Sequence, residues 1–510
     1  MKRKLFVLIV MVCALFLAAG TFAWGANGNR GGKPPEDPTP PPATPIDGYY
    51  FWRLGHMDGP HDSSKALGIS RDGKVAVGST VAVEFTKAWR LDIDWAISTG
   101  DGVAPLYNEL QVQEGIGGEA AFAASNMTVA DCPYTKVDPE VSGSVDNLVW
   151  CGSLPVGTLT TGTVSYAAEW LWAFDAEATE PNYVAIPDFG GGLSDMAAND
   201  VSSDGTIFVG TGNVKTGQQA FRADTTVVDE DLVPIPVQLT ITEVIDGVVG
   251  QTLQTSSAQA VSADGMIIAG YGSTKVATKA FVTTFTGIDE TTGEALLEST
   301  ILPTITGGKF AEAYAMTVTP EGVIYIAGRS DSPKGPQACI WFQGDDPATA
   351  DVVETWVVKG LGGLSKRYLN SVATSIVYRP GSTAGDLMVV GKSQSILYPS
   401  EAFVWTGNPV LVPDAPEGGY VLPDGTVSDY IGYMYDLEYI LIKTGAAEAS
   451  GMGSAWVLYE ATGVALSDVV NTGENSPSAR IVGYGTNPEG GVEAFLVTGF
   501  PYDDLLFIKE

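Results

Sequence analysis

The sequence predicts an all-β fold, most simply a β-propeller of seven four-stranded blades that follows a signal peptide and a proline-rich linker. Three observations predict it: a repeated segment with constant internal spacing, turn signals between β-rich runs, and a composition rich in glycine. The 510 residues include 61 glycines, 45% are hydrophobic and only 17% are charged. A disordered chain would contain fewer apolar residues, so this composition indicates a large folded body with many tight turns.

The repeated segment is clearest in four copies, ALGISRDGKVAVGS, ANDVSSDGTIFVGT, AQAVSADGMIIAGY and AYAMTVTPEGVIYIAGRS, which begin at Ala66, Ala198, Ala258 and Ala313. In each copy a second block with A-F, A-W or A-C follows, and its alanine comes ten residues after the glycine that closes the first block. We call this closing glycine the marker glycine. With three degenerate copies the units number seven, and their marker glycines are Gly78, Gly152, Gly210, Gly270, Gly328, Gly391 and Gly483.

Each unit has the pattern of four strands. Acid-glycine pairs stand between two β-rich runs, where glycine accepts the positive φ that a tight hairpin requires. The predicted turn residues are Asp72, Gly73, Asp204, Gly205, Asp264, Gly265, Glu321 and Gly322. The A-F/W block supplies a third strand and the segment leading to a Gly-Gly junction supplies a fourth. Seven such units of about 60 residues favour a propeller over a β-helix, whose period is much shorter.

The two ends of the repeat region indicate how the ring closes. Residues 48–59, GYYFWRLGHMDG, resemble the end of a unit without its beginning. We therefore expect this segment to complete the last blade from the N-terminal side, which leaves no free strand edge.

The N-terminal region predicts export. Residues 1–23 have basic residues, an apolar run and a small-residue cleavage site, the pattern of a secretory signal peptide. Residues 24–46 are a glycine- and proline-rich linker, and residues 47–510 form a single propeller domain. After cleavage no further apolar stretch is long enough to span a membrane, so we expect a secreted or cell-surface protein.

Charge and cysteine usage agree with this location. The formal net charge of −33 disfavours nucleic acid and anionic lipid as partners. Cys132 and Cys151 are close enough in sequence to form a disulfide in an oxidising compartment, although two unpaired thiols are the alternative. Cys339 stands where other units have a bulky apolar residue, which predicts a buried thiol.

The motif order resembles the bacterial extracellular HAF-type repeat family. GLGGLS at 360–365 and EAFVW at 401–405 match its junction and final block, and AQAVSADGMIIAG matches its centre. The resemblance covers nearly the whole mature chain and implies an exported or surface-associated protein with propeller-like repeats. The family has no agreed catalytic activity, so the resemblance implies no active-site residues.

Few residues have the type and spacing that suggest metal binding or catalysis. The only histidines, His56 and His61, together with Asp58 and Asp62 could hold a metal, but a polar junction loop is the favoured explanation of these residues. The repeated acids could bind Ca²⁺, yet each turn offers only one acid, so the turn role is favoured. The sequence predicts no other cofactor, and no serine–histidine–aspartate arrangement is evident.

These observations favour a non-catalytic binding or interaction scaffold with an extracellular polymer or protein as partner. Two alternatives stay open. One is an extracellular carbohydrate-active enzyme, a hydrolase or lyase that uses carboxylates of the central channel. The other is a structural component of the cell envelope or matrix.

Overall fold

The computed structural model describes residues 50–55, 61–82, 86–93, 108–109, 125–129, 134–137, 149–152, 155–161, 164–170, 183–186, 196–215, 217–228, 234–245, 248–289, 291–305, 308–333, 335–345, 354–365, 369–379, 386–408, 420–421, 427–428, 432–443, 452, 456–470 and 477–500. All of them lie in one compact unit, Pro42–Glu510. The predicted signal peptide and linker, residues 1–46, fall outside the described residues, and so does Cys132.

The described secondary structure is almost entirely strand. The first half contains β1 (Tyr50–Gly55), β2 (His61–Ile69), β3 (Val75–Ala82), β4 (Thr86–Asp92), β5 (Asn108–Glu109), β6 (Ser125–Val129), β7 (Tyr134–Val137), β8 (Val149–Gly152), β9 (Pro155–Thr161), β10 (Val164–Trp170), β11 (Tyr183–Ile186), β12 (Ala197–Val201), β13 (Ile207–Val214), β14 (Gly217–Val228), β15 (Pro234–Leu239), β16 (Thr242–Ile245) and β17 (Val248–Thr252).

The second half contains β18 (Thr255–Val261), β19 (Ile267–Ser273), β20 (Thr278–Ile288), β21 (Ala295–Ile301), β22 (Ala311–Val318), β23 (Ile324–Ser330), β24 (Gln337–Asp345), β25 (Glu354–Gly362), β26 (Ser371–Tyr378), β27 (Leu387–Ser393), β28 (Glu401–Gly407), β29 (Tyr420–Val421), β30 (Val427–Ser428), β31 (Gly432–Asp436), the short helix α1 (Leu437–Lys443), β32 (Val457–Val470), β33 (Pro477–Thr486) and β34 (Val492–Phe500). In the described part of the chain, no helix is both long and apolar enough to cross a bilayer.

The sheets form a β-propeller. Four sheets among the described strands have four strands each, in the orders β11-β10-β9-β6, β12-β13-β14-β15, β22-β23-β24-β25 and β26-β27-β28-β31. We call the first strand of each repeat unit its inner strand: β2, β6, β12, β18, β22, β26 and β32. Each inner strand packs against the next unit, and β2 packs against β32, β33 and β34, so the units close into a ring.

The expectation of seven separate four-stranded blades is not supported, because two of the described sheets are larger. A six-stranded sheet adds the hairpin β16–β17 to β18–β21 through one parallel residue pair, Glu243 with Ser299. An eight-stranded sheet runs β32-β33-β34-β2-β3-β4-β5, with β1 also paired to β34. The link between its two halves is again one parallel pair, Ser63 with Val492.

The prediction that the N-terminal segment joins the last unit is confirmed for residues 50–55. β1 runs antiparallel to β34, with Tyr50 opposite Thr498 and Arg53 opposite Phe495. The junction is also held by side chains, because Arg53 pairs with the buried Glu493 at 2.8 Å and Ser64 Oγ accepts a hydrogen bond from the Ala494 amide at 2.9 Å.

One predicted marker glycine is wrong. Gly152 lies in β8, which pairs only with β7 in a separate hairpin, whereas the four-stranded sheet of that unit uses β9 as its second strand. The apolar run before Gly152 has the pattern of the second strand of a unit, but it belongs to an inserted hairpin. The remaining six marker glycines each lie in the second strand of a unit.

The core lies between neighbouring sheets. The aromatic residues of the second blocks are fully buried there: Trp89, Phe221, Phe281, Trp341, Phe403 and Phe495. In the fifth unit Cys339 occupies the position opposite the marker glycine Gly328, and its thiol is free and buried, as predicted. Burial raises the pKa of this thiol well above its usual value.

Candidate functional site

The inner strands share one local irregularity that creates the site. In six units the alanine of the A-x-x motif pairs with the marker glycine, and the next residue is bulged out of register. A β-bulge bends the strand and redirects one side chain. The six bulged residues are Leu67, Asn199, Gln259, Tyr314, Thr374 and Thr462, and all of them line one central cavity of about 590 Å³.

The marker glycine is required by this bulge. A Cβ on Gly270 would collide with the carbonyl oxygen of Ser257 and contact the ring of Phe281, and the same overlap recurs at Gly78, Gly210, Gly391 and Gly483. The repeated glycine therefore permits the close approach of two backbones. The constant offset in the sequence reflects this register, since Gly270 pairs with Phe281 and the following Tyr271 pairs with Ala280.

Several bulged side chains connect neighbouring inner strands. Asn199 Nδ2 donates to the Ala258 carbonyl at 2.7 Å, Thr374 Oγ1 to the Ala461 carbonyl at 2.6 Å, and Thr462 Oγ1 to the Ala66 carbonyl at 2.9 Å. Each acceptor is the motif alanine of the next unit. The bulge position therefore both lines the cavity and helps to hold the ring together.

Two clusters of polar residues face the cavity. In the first cluster, Glu312 accepts a hydrogen bond from the Tyr314 hydroxyl and pairs with Arg329 at 2.7 Å. In the second cluster, Glu460 accepts from the Tyr484 hydroxyl at 2.7 Å and pairs with Lys392 at 3.0 Å. Burial, then the neighbouring carboxylate, raises the pKa of both tyrosines, so both hydroxyls are protonated at neutral pH.

Lys65 is the remaining lysine of the lining. Its ammonium lies 4.6 Å from the centre of the Tyr484 ring, a cation–π contact. Within the described part of the chain, no carboxylate lies within ion-pair distance of Lys65. The lining therefore contains one positive charge that no described acid neutralises.

Arg71 crosses the turn end of the inner strands. It follows β2, and its guanidinium donates to the carbonyls of Val201 at 2.8 Å and Val261 at 2.7 Å, the last residues of β12 and β18. It also pairs with Asp200 at 3.3 Å. One side chain thus connects three units at this end of the cavity.

The predicted turn residues are not among the residues that line the cavity. In the first three turns the acid accepts hydrogen bonds from a serine hydroxyl and a backbone amide of its own turn, as Asp204 does from Ser202 Oγ at 2.6 Å and Thr206 N at 3.0 Å. Gly73, Gly205, Gly265 and Gly322 all have φ between 72° and 89°. Among the described residues, no group of three or more acids, histidines or cysteines is arranged to hold a metal ion.

Other sequence-predicted residues cannot be placed. His56 and Asp58 lie outside the described residues, and the side chains of His61 and Asp62 in β2 do too. Cys151 lies in β8, but its side chain also falls outside the description. The metal site and the disulfide between Cys132 and Cys151 therefore stay predictions.

Sequence reasoning missed every residue of the two clusters and Lys65. A signal was present: the residue after each marker glycine varies as Ser79, Thr211, Tyr271, Arg329, Lys392 and Tyr484, within an otherwise uniform motif. The inner strand of the last unit was missed as well, although Ala461-Thr-Gly-Val repeats the A-x-x-V pattern.

Comparison with known proteins gives no family. No protein-family model matches the chain, and no curated protein matches it in sequence. Among solved structures, TolB from Acinetobacter baumannii is similar at 12% identity and a TM-score of 0.30, over 68% of this chain and 62% of TolB. A PQQ-bound aldose sugar dehydrogenase from Streptomyces coelicolor is similar at 10% identity and a TM-score of 0.32, over 89% of this chain and 99% of that one.

A luciferin-regenerating enzyme is similar at 12% identity and a TM-score of 0.27, over 67% of this chain and 88% of the enzyme. This chain thus spans less than two thirds of the length of TolB. At such identities and TM-scores, these likenesses carry no conclusion about function.

Proposed function

We propose that this protein is a non-catalytic binding protein whose ligand site is the central cavity. The observation that carries the proposal is that constant and variable positions of the repeat have different structural roles. The alanine and glycine that six units share build the bulge, while the variable neighbours, among them Tyr314, Arg329, Lys392 and Tyr484, face the cavity. A concave site with a few convergent polar groups is the usual form of a small-molecule site.

The arrangement of the acids favours binding over hydrolysis. The cavity carboxylates Asp200 and Glu460 are each paired with a basic side chain and each accept at least one hydrogen bond. A glycosidase of the usual kind needs one carboxyl that is free to give up a proton and another that is free to attack the sugar or to activate a water molecule. The alternative is a carbohydrate-active enzyme, and turnover of a polysaccharide would favour it.

We further propose that the ring consists of seven blades, with the eight-stranded sheet counted as two. The support is the strand pairing, because β32-β33-β34-β1 and β2-β3-β4-β5 each follow the order of a four-stranded blade. The two halves share only the Ser63–Val492 pair. On this view β1 supplies the outermost strand of the last blade.

Export to the cell surface or beyond, and membership of the HAF-type repeat family, are part of the same proposal. Their support is the signal-like segment 1–23, the linker 24–46 and the repeat motifs. We also propose that an extracellular polymer or protein binds to the loops as a further partner.

A ligand panel tests the proposed site. Thermal unfolding is measured with neutral sugars, acidic sugars, amino acids and inorganic phosphate, and we expect at least one class to raise the melting temperature. Gln259→Trp, which places a bulky ring in the cavity, abolishes the increase, whereas Lys275→Trp on an exposed hairpin leaves it unchanged. Polysaccharide cleavage that is lost in Glu460→Gln would contradict the non-catalytic assignment.

A further inference from the structure

Resting on the proposed function, we propose that the ligand is a sugar-sized molecule with one carboxylate and several hydroxyl groups, that is, an acidic sugar or the acidic end of a saccharide. Its carboxylate pairs with Lys65, and its hydroxyl groups bind the two polar clusters.

The charge balance of the cavity lining favours an acidic ligand. The described lining contains four basic residues, Lys65, Arg71, Arg329 and Lys392, and two acids, Asp200 and Glu460. A third carboxylate, Glu312, is not part of the lining but neutralises Arg329 through an ion pair. One positive charge is therefore in excess, at Lys65, in a chain whose net charge is −33. A partly buried ammonium without an acid partner is suited to one carboxylate of a ligand.

The cavity lining also offers hydrogen-bond acceptors and donors for the hydroxyl groups of a ligand. The Tyr484 and Tyr314 hydroxyls give their hydrogens to carboxylates, so their oxygens can accept from a ligand. Lys392 Nζ and the Tyr484 hydroxyl both donate to Oε2 of Glu460, which leaves Oε1 as an acceptor. Ser375 Oγ accepts from the Val464 amide at 3.2 Å, so its hydrogen can be donated. Such a mixture of acceptors and donors matches a polyol better than an apolar acid.

The size and shape of the cavity limit the length of the ligand. The cavity of about 590 Å³ lies within the range of small-molecule sites. Because Arg71 bridges β12 and β18 at the turn end, a ligand cannot be threaded through that end without displacing it. The site therefore takes a free sugar or the terminal unit of a saccharide, not the middle of a long chain.

Isothermal titration calorimetry on the full chain tests this with D-glucuronate, D-galacturonate and N-acetylneuraminate, against D-glucose and inorganic phosphate. We expect at least one acidic sugar to bind about tenfold or more tightly than glucose, with a preference that weakens as salt is added. Lys65→Met and Lys65→Gln each reduce the affinity to that for glucose. Lys309→Met, at an exposed lysine outside the cavity, leaves it unchanged. Melting temperatures confirm that all variants are folded.

Three results would overturn the inference. Equal binding of glucose and acidic sugars that Gln259→Trp abolishes would refute the carboxylate and leave the cavity function standing. Binding of phosphate, but of none of the sugars, with dependence on Lys65 would assign a phosphate ligand instead. Absence of binding by every acidic sugar would refute the ligand class, and the wider ligand panel then decides the proposed function separately.

Discussion

At the scale of the residue, the marker glycine connects sequence, bulge and cavity. Gly270 lies within β19 and does not have the positive φ of the turn glycines. It is glycine because Ser257 and Phe281 leave no room for a Cβ at the point where the inner strand is bulged. Without that close approach, Gln259 would return to the regular strand alternation and leave the cavity wall.

The first prediction concerns this position. Gly270→Ala forces the added carbon against a backbone oxygen, which cannot move without breaking the register of β18 and β19. We expect a loss of about 3 kcal/mol in the free energy of unfolding, measured by urea denaturation. Gly491→Ala is the matched control, since its Cβ would meet only ordinary contacts at 3.5 Å or more, and we expect a change within about 0.5 kcal/mol. Equal effects of the two variants would disprove the packing explanation.

At the scale of the element, the junction between β31 and the short helix α1 places the acids Asp436 and Glu438 near Glu401 of β28. Burial and the nearby charge of Glu401 raise the pKa of Asp436 to about 6, although its Oδ1 accepts from the Glu438 and Tyr439 amides. Burial and Asp436 raise the pKa of Glu438 to about 7. The folded protein therefore retains protons here that the unfolded chain loses near pH 4.

The second prediction is the resulting pH dependence. Between about pH 4 and 7 the native state binds more protons than the unfolded state at these two sites, so their contribution to stability falls as pH rises and is fully present only at the acidic end. We expect the double variant Asp436→Asn, Glu438→Gln to remove about 1–2 kcal/mol of this decline, after allowance for the solvent around Glu438. Urea denaturation at pH 4.5 and 7.5 measures it. The same decline in both proteins would assign the pH dependence to other groups.

At this scale the individual strands and hairpins could be predicted from the sequence, whereas the cavity could not. The hairpins, the second-block strands and the closure by β1 follow from short-range signals such as Asp-Gly pairs, Ala-Phe blocks and constant offsets. The cavity does not follow from them, because it is formed by bulged residues that lie about 60 positions apart, such as Asn199 and Gln259. Gly152 was misassigned because an inserted hairpin imitates the same local pattern, and only pairing separates β8 from β9.

At the scale of the whole molecule, the ring depends on a junction between its two ends. β1 brings Phe51 into the core, where its ring meets Trp456 edge-on at 5.2 Å and lies 5.8 Å from Phe495. The same strand places Arg53 on Glu493 and over the Trp456 ring. Removal of β1 would expose this aromatic group and an open edge of β34.

The third prediction is that a chain beginning at residue 56 is much less stable than one beginning at residue 47, the predicted start of the domain. Loss of the Phe51 side chain alone costs about 3–5 kcal/mol for a buried phenylalanine, and the strand pairing with β34 is lost in addition. We expect the shorter chain to unfold at lower urea concentration and to aggregate, since an unpaired strand edge templates association. The chain from residue 47 should match the full-length protein. If instead the shorter chain remained monomeric and equally stable, the ring would not depend on its N-terminal strand, and the two halves of the eight-stranded sheet would have to hold together through β2 and β34 alone.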